Sequence, residues 1–180
     1  DPNLYEGPVW SFTTRQYESV DDFESYNDTT KFLFEYWIDG LADHMSGSVA
    51  GKTESAGGTF GERTIVHSGT QSMPITYDNT SMYSYSEVTR TFDTSWDWTA
   101  NGIKSLSLYF RGASANTGRM YLKINDVKLA YYGEASDIAL TTWLPWNVDL
   151  STVSTNLKKV TKMTIGIEGA GTAGMMYIDD

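Results

Sequence analysis

An all-β fold of two antiparallel sheets packed face to face is predicted by three features of the sequence. Short alternating segments recur, about ten of them, with turn signals at roughly 8–12-residue spacing. No stretch shows sustained helical periodicity, and the gaps are too short for the crossover helices that parallel strands need. The 180 residues include 12 Tyr, 6 Trp, 7 Phe and 16 Gly, a mixture that suits pleated half-buried strands joined by tight turns.

The first predicted strand covers residues 19–26, with Val20 and Phe23 as inward anchors. Residues 31–38 form the next, closed by the turn dipeptide Asp39-Gly40. The Gly-, Ser-, Thr- and Ala-rich stretch 47–61 reads as a weak strand between loops. Two runs, 64–67 and 71–77, flank Ser68-Gly69, and a longer strand follows over 82–92. The alternation is sharpest in the second half. Over 105–111, Leu106, Leu108 and Phe110 point one way and Ser107, Tyr109 and Arg111 the other, because successive strand side chains face opposite sides. Over 120–125, Met120, Leu122 and Ile124 oppose Tyr121, Lys123 and Asn125. Asn125-Asp126 then turns the chain into a strand over 127–132. Strands over 143–150, 162–168 and 175–180 complete the set, and 134–140 and 151–158 suit short helical turns. One apolar face per strand means that each sheet buries one side and offers the other to solvent.

A formal net charge of −10 argues against nucleic acid and anionic membranes as partners and favours hard cations. With no cysteine, disulfides, thiol catalysis and zinc–thiolate sites are excluded. No apolar run approaches the ~18 residues of a bilayer span. No signal peptide is seen, so a mature fragment or excised piece is expected, with a monomer as the default.

Two resemblances sharpen this picture. Gly7-Pro8-Val9-Trp10-Ser11-Phe12-Thr13-Thr14 resembles the closing strand of a fibronectin type III-like domain. That assigns residues 1–17 to the linker of an upstream domain in a longer extracellular protein; an added N-terminal edge strand is the alternative. The body, residues 18–180, opens with Val20-Asp21-Asp22-Phe23-Glu24-Ser25-Tyr26 and ends with Tyr177-Ile178-Asp179-Asp180. Between them lie Trp37-Ile38-Asp39-Gly40, His67-Ser68-Gly69-Thr70-Gln71-Ser72-Met73 and Leu108-Tyr109-Phe110-Arg111-Gly112. Together these resemble the galactose-binding-like jelly-roll carbohydrate-binding modules of secreted planctomycete-type bacterial proteins. The resemblance implies a two-sheet antiparallel jelly-roll sandwich and a secreted or cell-surface location. Its departure is at the end, where the family continues past Asp-Asp with an apolar strand.

The resemblance also implies a structural calcium ion. With Phe23 facing the core, Asp22 and Glu24 share the opposite side, and Asp179 and Asp180 would join them if the first and last strands pair. Like charges so close would repel without a cation. In similar domains the Glu and a terminal Asp are the side-chain ligands, which carries over Glu24 and Asp180, with Asp22, Thr70 and Asp179 beside them and carbonyls from 68–71 contributing. The alternative is a solvated acidic edge that blunts aggregation.

The function expected is non-catalytic: a module that anchors a larger protein to polysaccharide. Tyr85, Glu87, Tyr109, Arg111, Tyr121 and Lys123 are the candidate ligand-binding residues, with rings that stack on pyranose faces and charges that bond hydroxyls or acidic groups. Trp96 and Trp98 read as a plug at one end of the sandwich, or as a second site at the loop edge. Asn27-Asp28-Thr29 and Asn79-Thr80-Ser81 match a glycosylation pattern but serve better as turns. His44 and His67 are the only histidines, and no nucleophile elbow or phosphate loop accompanies them. Two other readings stay open: an extracellular spacer without a glycan site, and a jelly-roll polysaccharide lyase, faintly suggested by Tyr121-Leu122-Lys123.

Overall fold

The computed structural model describes residues 18–52 and 59–180. The fibronectin-like segment 1–17 and part of the predicted weak strand, residues 53–58, lie outside the described residues.

Ten strands are described: β1 Trp37–Ile38, β2 Ser48–Ala50, β3 Met73–Asp78, β4 Tyr85–Trp96, β5 Ser105–Arg111, β6 Arg119–Ile124, β7 Val127–Ala130, β8 Leu144–Asp149, β9 Val160–Glu168 and β10 Ala173–Asp179. They form two five-stranded antiparallel sheets. Sheet I has the order β1-β4-β9-β6-β7 and sheet II the order β2-β3-β10-β5-β8. The core lies between them. Trp37, Val88, Met120, Leu122, Ile165 and Ile167 come from sheet I, and Ile75, Tyr77, Leu108, Phe110, Trp146 and Met176 from sheet II.

The alternation over 105–111 is reproduced residue for residue in β5; in β6 the inward set Met120, Leu122 and Ile124 is reproduced, while Tyr121 is buried as well and Asn125 falls in the turn beyond the strand. Asn125 adopts φ +53° at the hairpin turn, where the short polar Asn side chain makes the left-handed region tolerable. The expected helical turns are 3₁₀ turns at Ala135–Ala139, Leu150–Thr152 and Leu157–Lys159.

The departures from expectation fall at residues 19–26, 31–43 and 64–67. Residues 19–26 form no strand. Asp21 accepts from Phe23 N at 3.0 Å, and Phe23 takes φ +59°. Local side-chain bonds of this kind divert the backbone from a ladder. Phe23 is nonetheless buried, as expected of an anchor. Residues 31–38 split into a one-turn helix, α1 (Leu33–Tyr36), and the two-residue β1. Asn27 Oδ1 gathers the backbone N–H groups of Thr29, Thr30 and Lys31 just before it. Asp39, expected in a turn, N-caps a second short helix, α2 (Gly40–Asp43), through Ala42 N, and its other oxygen accepts from Ala50 N at 2.6 Å. Residues 64–67 are not a strand either. The Glu62 carboxylate takes the N–H groups of Thr64 and Ile65, leaving one isolated bridge between Glu62 and Ser72.

Candidate functional site

The outer face of sheet I is built by register. Glu87 on β4, Gly166 on β9 and Tyr121 on β6 stand in one row, and Tyr85, Glu168 and Arg119 in the next. Gly166 has no side chain to stand up between its neighbours. The Tyr121 ring therefore lies flat across β9, and its hydroxyl donates to Glu87 Oε1. Lys123 Nζ pairs with that same oxygen. Lys128 Nζ sits 4.1 Å from the Tyr121 ring centroid and is tied to Glu168 at 2.5 Å, a cation–π contact over the ring face. On the β1 side, Thr89 and Thr164 share a hydrogen bond of 2.8 Å, and Ile38 stands beside Thr89.

Burial first, and then the bond to Glu87, push the Tyr121 hydroxyl well above the ordinary phenol range. It is a fixed proton donor. A Tyr acting as a lyase base needs the opposite shift. His44 caps α2, where its carbonyl accepts from the Tyr83 hydroxyl at 2.8 Å, and His67, in loop 67–71, stacks on Tyr109 of sheet II.

The six candidate ligand residues do not form one surface. Tyr85, Glu87, Tyr121 and Lys123 share sheet I, whereas Tyr109 and Arg111 stand on β5 in sheet II. There the face is partly covered. The His67 ring stacks on Tyr109 at 3.6 Å and 16°, with Trp143 edge-on to His67 at 5.7 Å. Arg111 donates to the Thr141 carbonyl at 2.8 Å and lies over the Tyr177 ring. Asp179, in the middle of this layer, is completely buried. Tyr121 itself is only 2% exposed under Lys128, so it is the floor of the sheet I face. Arg119 and Lys128 belong to that face and are additions to the sequence reading, and Glu168 stands there with them. Continuing the alternation one residue before 120 and along 127–132 finds the first two. Tyr132, 69% exposed, follows the end of β7.

The predicted metal residues gather around one loop. Residues 19–26 form no strand to pair with the last, and β10 lies between β3 and β5. The two acidic ends instead reach loop 67–71. Glu24 accepts from Thr70 N at 2.9 Å, Thr70 Oγ1 at 2.5 Å and Gln71 N at 3.1 Å. Asp179 accepts from the N–H groups of His67 and Ser68, and Asp180 binds the His67 ring and the Ser68 hydroxyl, both at 2.6 Å. Asp22 accepts from Glu24 N at 3.1 Å. Partial burial works to raise the Glu24 carboxyl, but the three loop donors outweigh it and hold it below its ordinary value, while burial raises Asp179. Among the described residues no group of three or more His, Asp or Glu is arranged to hold a metal ion. Glu24 with the Thr70 hydroxyl, and Asp180 with the Ser68 hydroxyl, place hard oxygens of the kind calcium takes on one loop as two separate pairs. Among the described residues, Lys and Arg partner neither Glu24 nor Asp180.

Trp98 is buried against Phe92 and Trp96 stacks on Phe92 at 4.9 Å, in keeping with an end plug.

No protein-family model matches the chain, and no curated protein matches it. Solved structures do. The chain is similar to the family 11 carbohydrate-binding module from Clostridium thermocellum in complex with a β-1,3-1,4-mixed-linked tetrasaccharide, with 15% identity and a TM-score of 0.51 over 89% of this chain and 91% of that one. It is similar to a family 30 carbohydrate-binding module at 12% identity and a TM-score of 0.52, over 67% of this chain and 70% of that one. An exo-β-agarase matches 74% of the chain at 11% identity and a TM-score of 0.53, and the chain spans only 22% of that enzyme. These likenesses establish the fold, a two-sheet jelly-roll sandwich.

Proposed function

We propose that the chain is a non-catalytic module that holds polysaccharide on the outer face of sheet I, within a larger extracellular protein that it helps to anchor. One observation carries this reading. The middle of sheet I presents Tyr85 and a linked set of carboxylates and cations around a glycine floor, whereas the centre of the sheet II face is occupied by Asp179 and loop 67–71. Fixed polar groups beside an aromatic ring suit a sugar, which offers hydroxyls at its rim and C–H groups on its faces. The hydrogen bond from the Tyr121 hydroxyl to Glu87 supports binding without catalysis.

Affinity gel electrophoresis against plant, algal and bacterial polysaccharides tests the proposal. Tyr85→Ala is expected to weaken retardation about tenfold, the scale of an aromatic hot spot of ~1–2 kcal/mol. Tyr109→Ala, on the other sheet, should leave it unchanged. The reverse pattern would move the site to sheet II, and release of unsaturated products from uronic polysaccharides would replace binding with a lyase activity.

Calcium at the loop 67–71 seam is part of the same proposal. Glu24 and Asp180 would supply carboxylate oxygens, with Asp22, Thr70 and Asp179 beside them. The ion would neutralise carboxylates from both ends of the domain and fasten them to one loop. At a calcium concentration 100 times Kd, such a site adds about 2.7 kcal/mol, or roughly 5–10 °C in Tm for a domain of this size. Calorimetry with calcium and with chelator measures it. A Tm indifferent to both, in wild type and in Glu24→Gln alike, removes the ion from the proposal.

A further inference from the structure

We infer that the polysaccharide held on sheet I is anionic, and that Arg119 is the residue that reads its charge. The inference rests on the sheet I face being the glycan site and adds the chemical class of the ligand.

The charge balance of that face runs against that of the molecule. The protein carries a net charge of −10. Yet the outer positions of β4, β9, β6 and β7 hold four cations, Arg119, Lys123, Lys128 and Lys162, against three carboxylates, Glu87, Asp93 and Glu168. Three of the cations have partners: Lys123 with Glu87, Lys128 with Glu168, and Lys162 with Asp126 of the hairpin turn at 2.8 Å. Arg119 makes no ion pair among the described residues, although Glu168 is its strand partner in β9. Lys128 holds that carboxylate instead. The pairing thus leaves one exposed guanidinium on the face, two strands from Tyr85 in the same row. At the ~4.8 Å separation of adjacent strands, about 10 Å divides them, so one chain lying across the sheet can reach both.

A guanidinium is suited to this task. Its planar donor fork matches a carboxylate or sulfate group bidentately, and it is weakly hydrated for a cation. An acidic module also gains discrimination. Its overall field opposes polyanions, so one is retained only where local contacts overcome that repulsion.

The test uses the full chain in affinity gels containing matched polysaccharides. Polygalacturonate is compared with its methyl ester, and a sulfated galactan with its unsulfated counterpart, which separates carboxylate from sulfate. The charged member of at least one pair should retard the protein about tenfold more strongly. Arg119→Gln should erase that difference while leaving Tm unchanged, and Arg119→Lys should keep only part of it. Moderate salt should weaken the charged member selectively. Equal retardation by both members of each pair, unchanged in Arg119→Gln, overturns the inference and leaves the sheet I site standing. Absence of retardation by every polysaccharide overturns the site and the inference together.

Discussion

Asp21→Ala is expected to remove about 3–5 kcal/mol of folding free energy, the cost of stranding one member of a buried ionic network. The Asp21 side chain is 6% exposed and Arg90 lies 3.2 Å from it. Oδ2 also accepts from the Tyr26 hydroxyl and from Trp37 Nε1 at 3.0 Å, while Oδ1 holds Phe23 N. Trp37 and Tyr26 are buried. Arg90 reaches the Tyr26 hydroxyl at 2.7 Å, yet its Nε is buried without a partner. Asp21 is the carboxylate paired with this cation, so alanine leaves a guanidinium, an indole N–H and a phenol short of acceptor together. Asn keeps one acceptor and loses the charge, and should fall between. Urea denaturation measures the difference, with the m-value unchanged because the same surface is exposed. Arg90→Met combined with Asp21→Ala should lose less than the sum of the single changes, since no guanidinium is then left buried without its carboxylate, although the Trp37 N–H and the Tyr26 hydroxyl still lack their acceptor. A single-mutant loss below about 1 kcal/mol would show that water already serves this network.

The same residues mark the limit of what the sequence discloses. Phe23 is legible as an anchor because burial follows from its chemistry. The chain around it turns because Asp21 and Asn27 hand side-chain oxygens to nearby N–H groups, and hydrophobic spacing carries no trace of that choice. Glu62 does the same before 64–67. Strands β5 and β6 were legible because each presents three apolar residues to one core and polar residues to solvent. Alternation also showed which way Tyr109, Arg111, Tyr121 and Lys123 point. It could not assign them to sheets, because strand order rests on pairings such as Glu87 with Gly166, which lie far apart in sequence. Four candidate ligand residues therefore meet and two do not. The acidic ends were readable as neighbours, but they meet through loop 67–71 rather than through a shared ladder.

Gly166→Val is expected to weaken polysaccharide binding about thirtyfold, or ~2 kcal/mol, while the fold is retained. A β-carbon at this position would stand 2.3 Å from Tyr121 Cζ and 2.5 Å from Cε2, so the ring must lift from the sheet. Lys128 lies over its other face and Glu87 holds its hydroxyl, and both contacts are lost when it moves. Valine brings up to ~1 kcal/mol of better strand propensity, against ~1–3 kcal/mol for overpacking. The net change in stability is therefore modest, and the larger effect falls on the shape of the face. Glu87 loses the Tyr121 donor that helps fix it beside Lys123, and Lys128 is displaced toward the space a sugar would occupy. Pairing Gly166→Val with Tyr121→Ala should recover the lost stability by more than 1 kcal/mol relative to additivity, since the clash is between those two groups alone. It should not recover binding, because the floor of the face is then missing. A Gly166→Val protein that binds as tightly as wild type would place the sugar elsewhere on the molecule, whatever the fold it resembles.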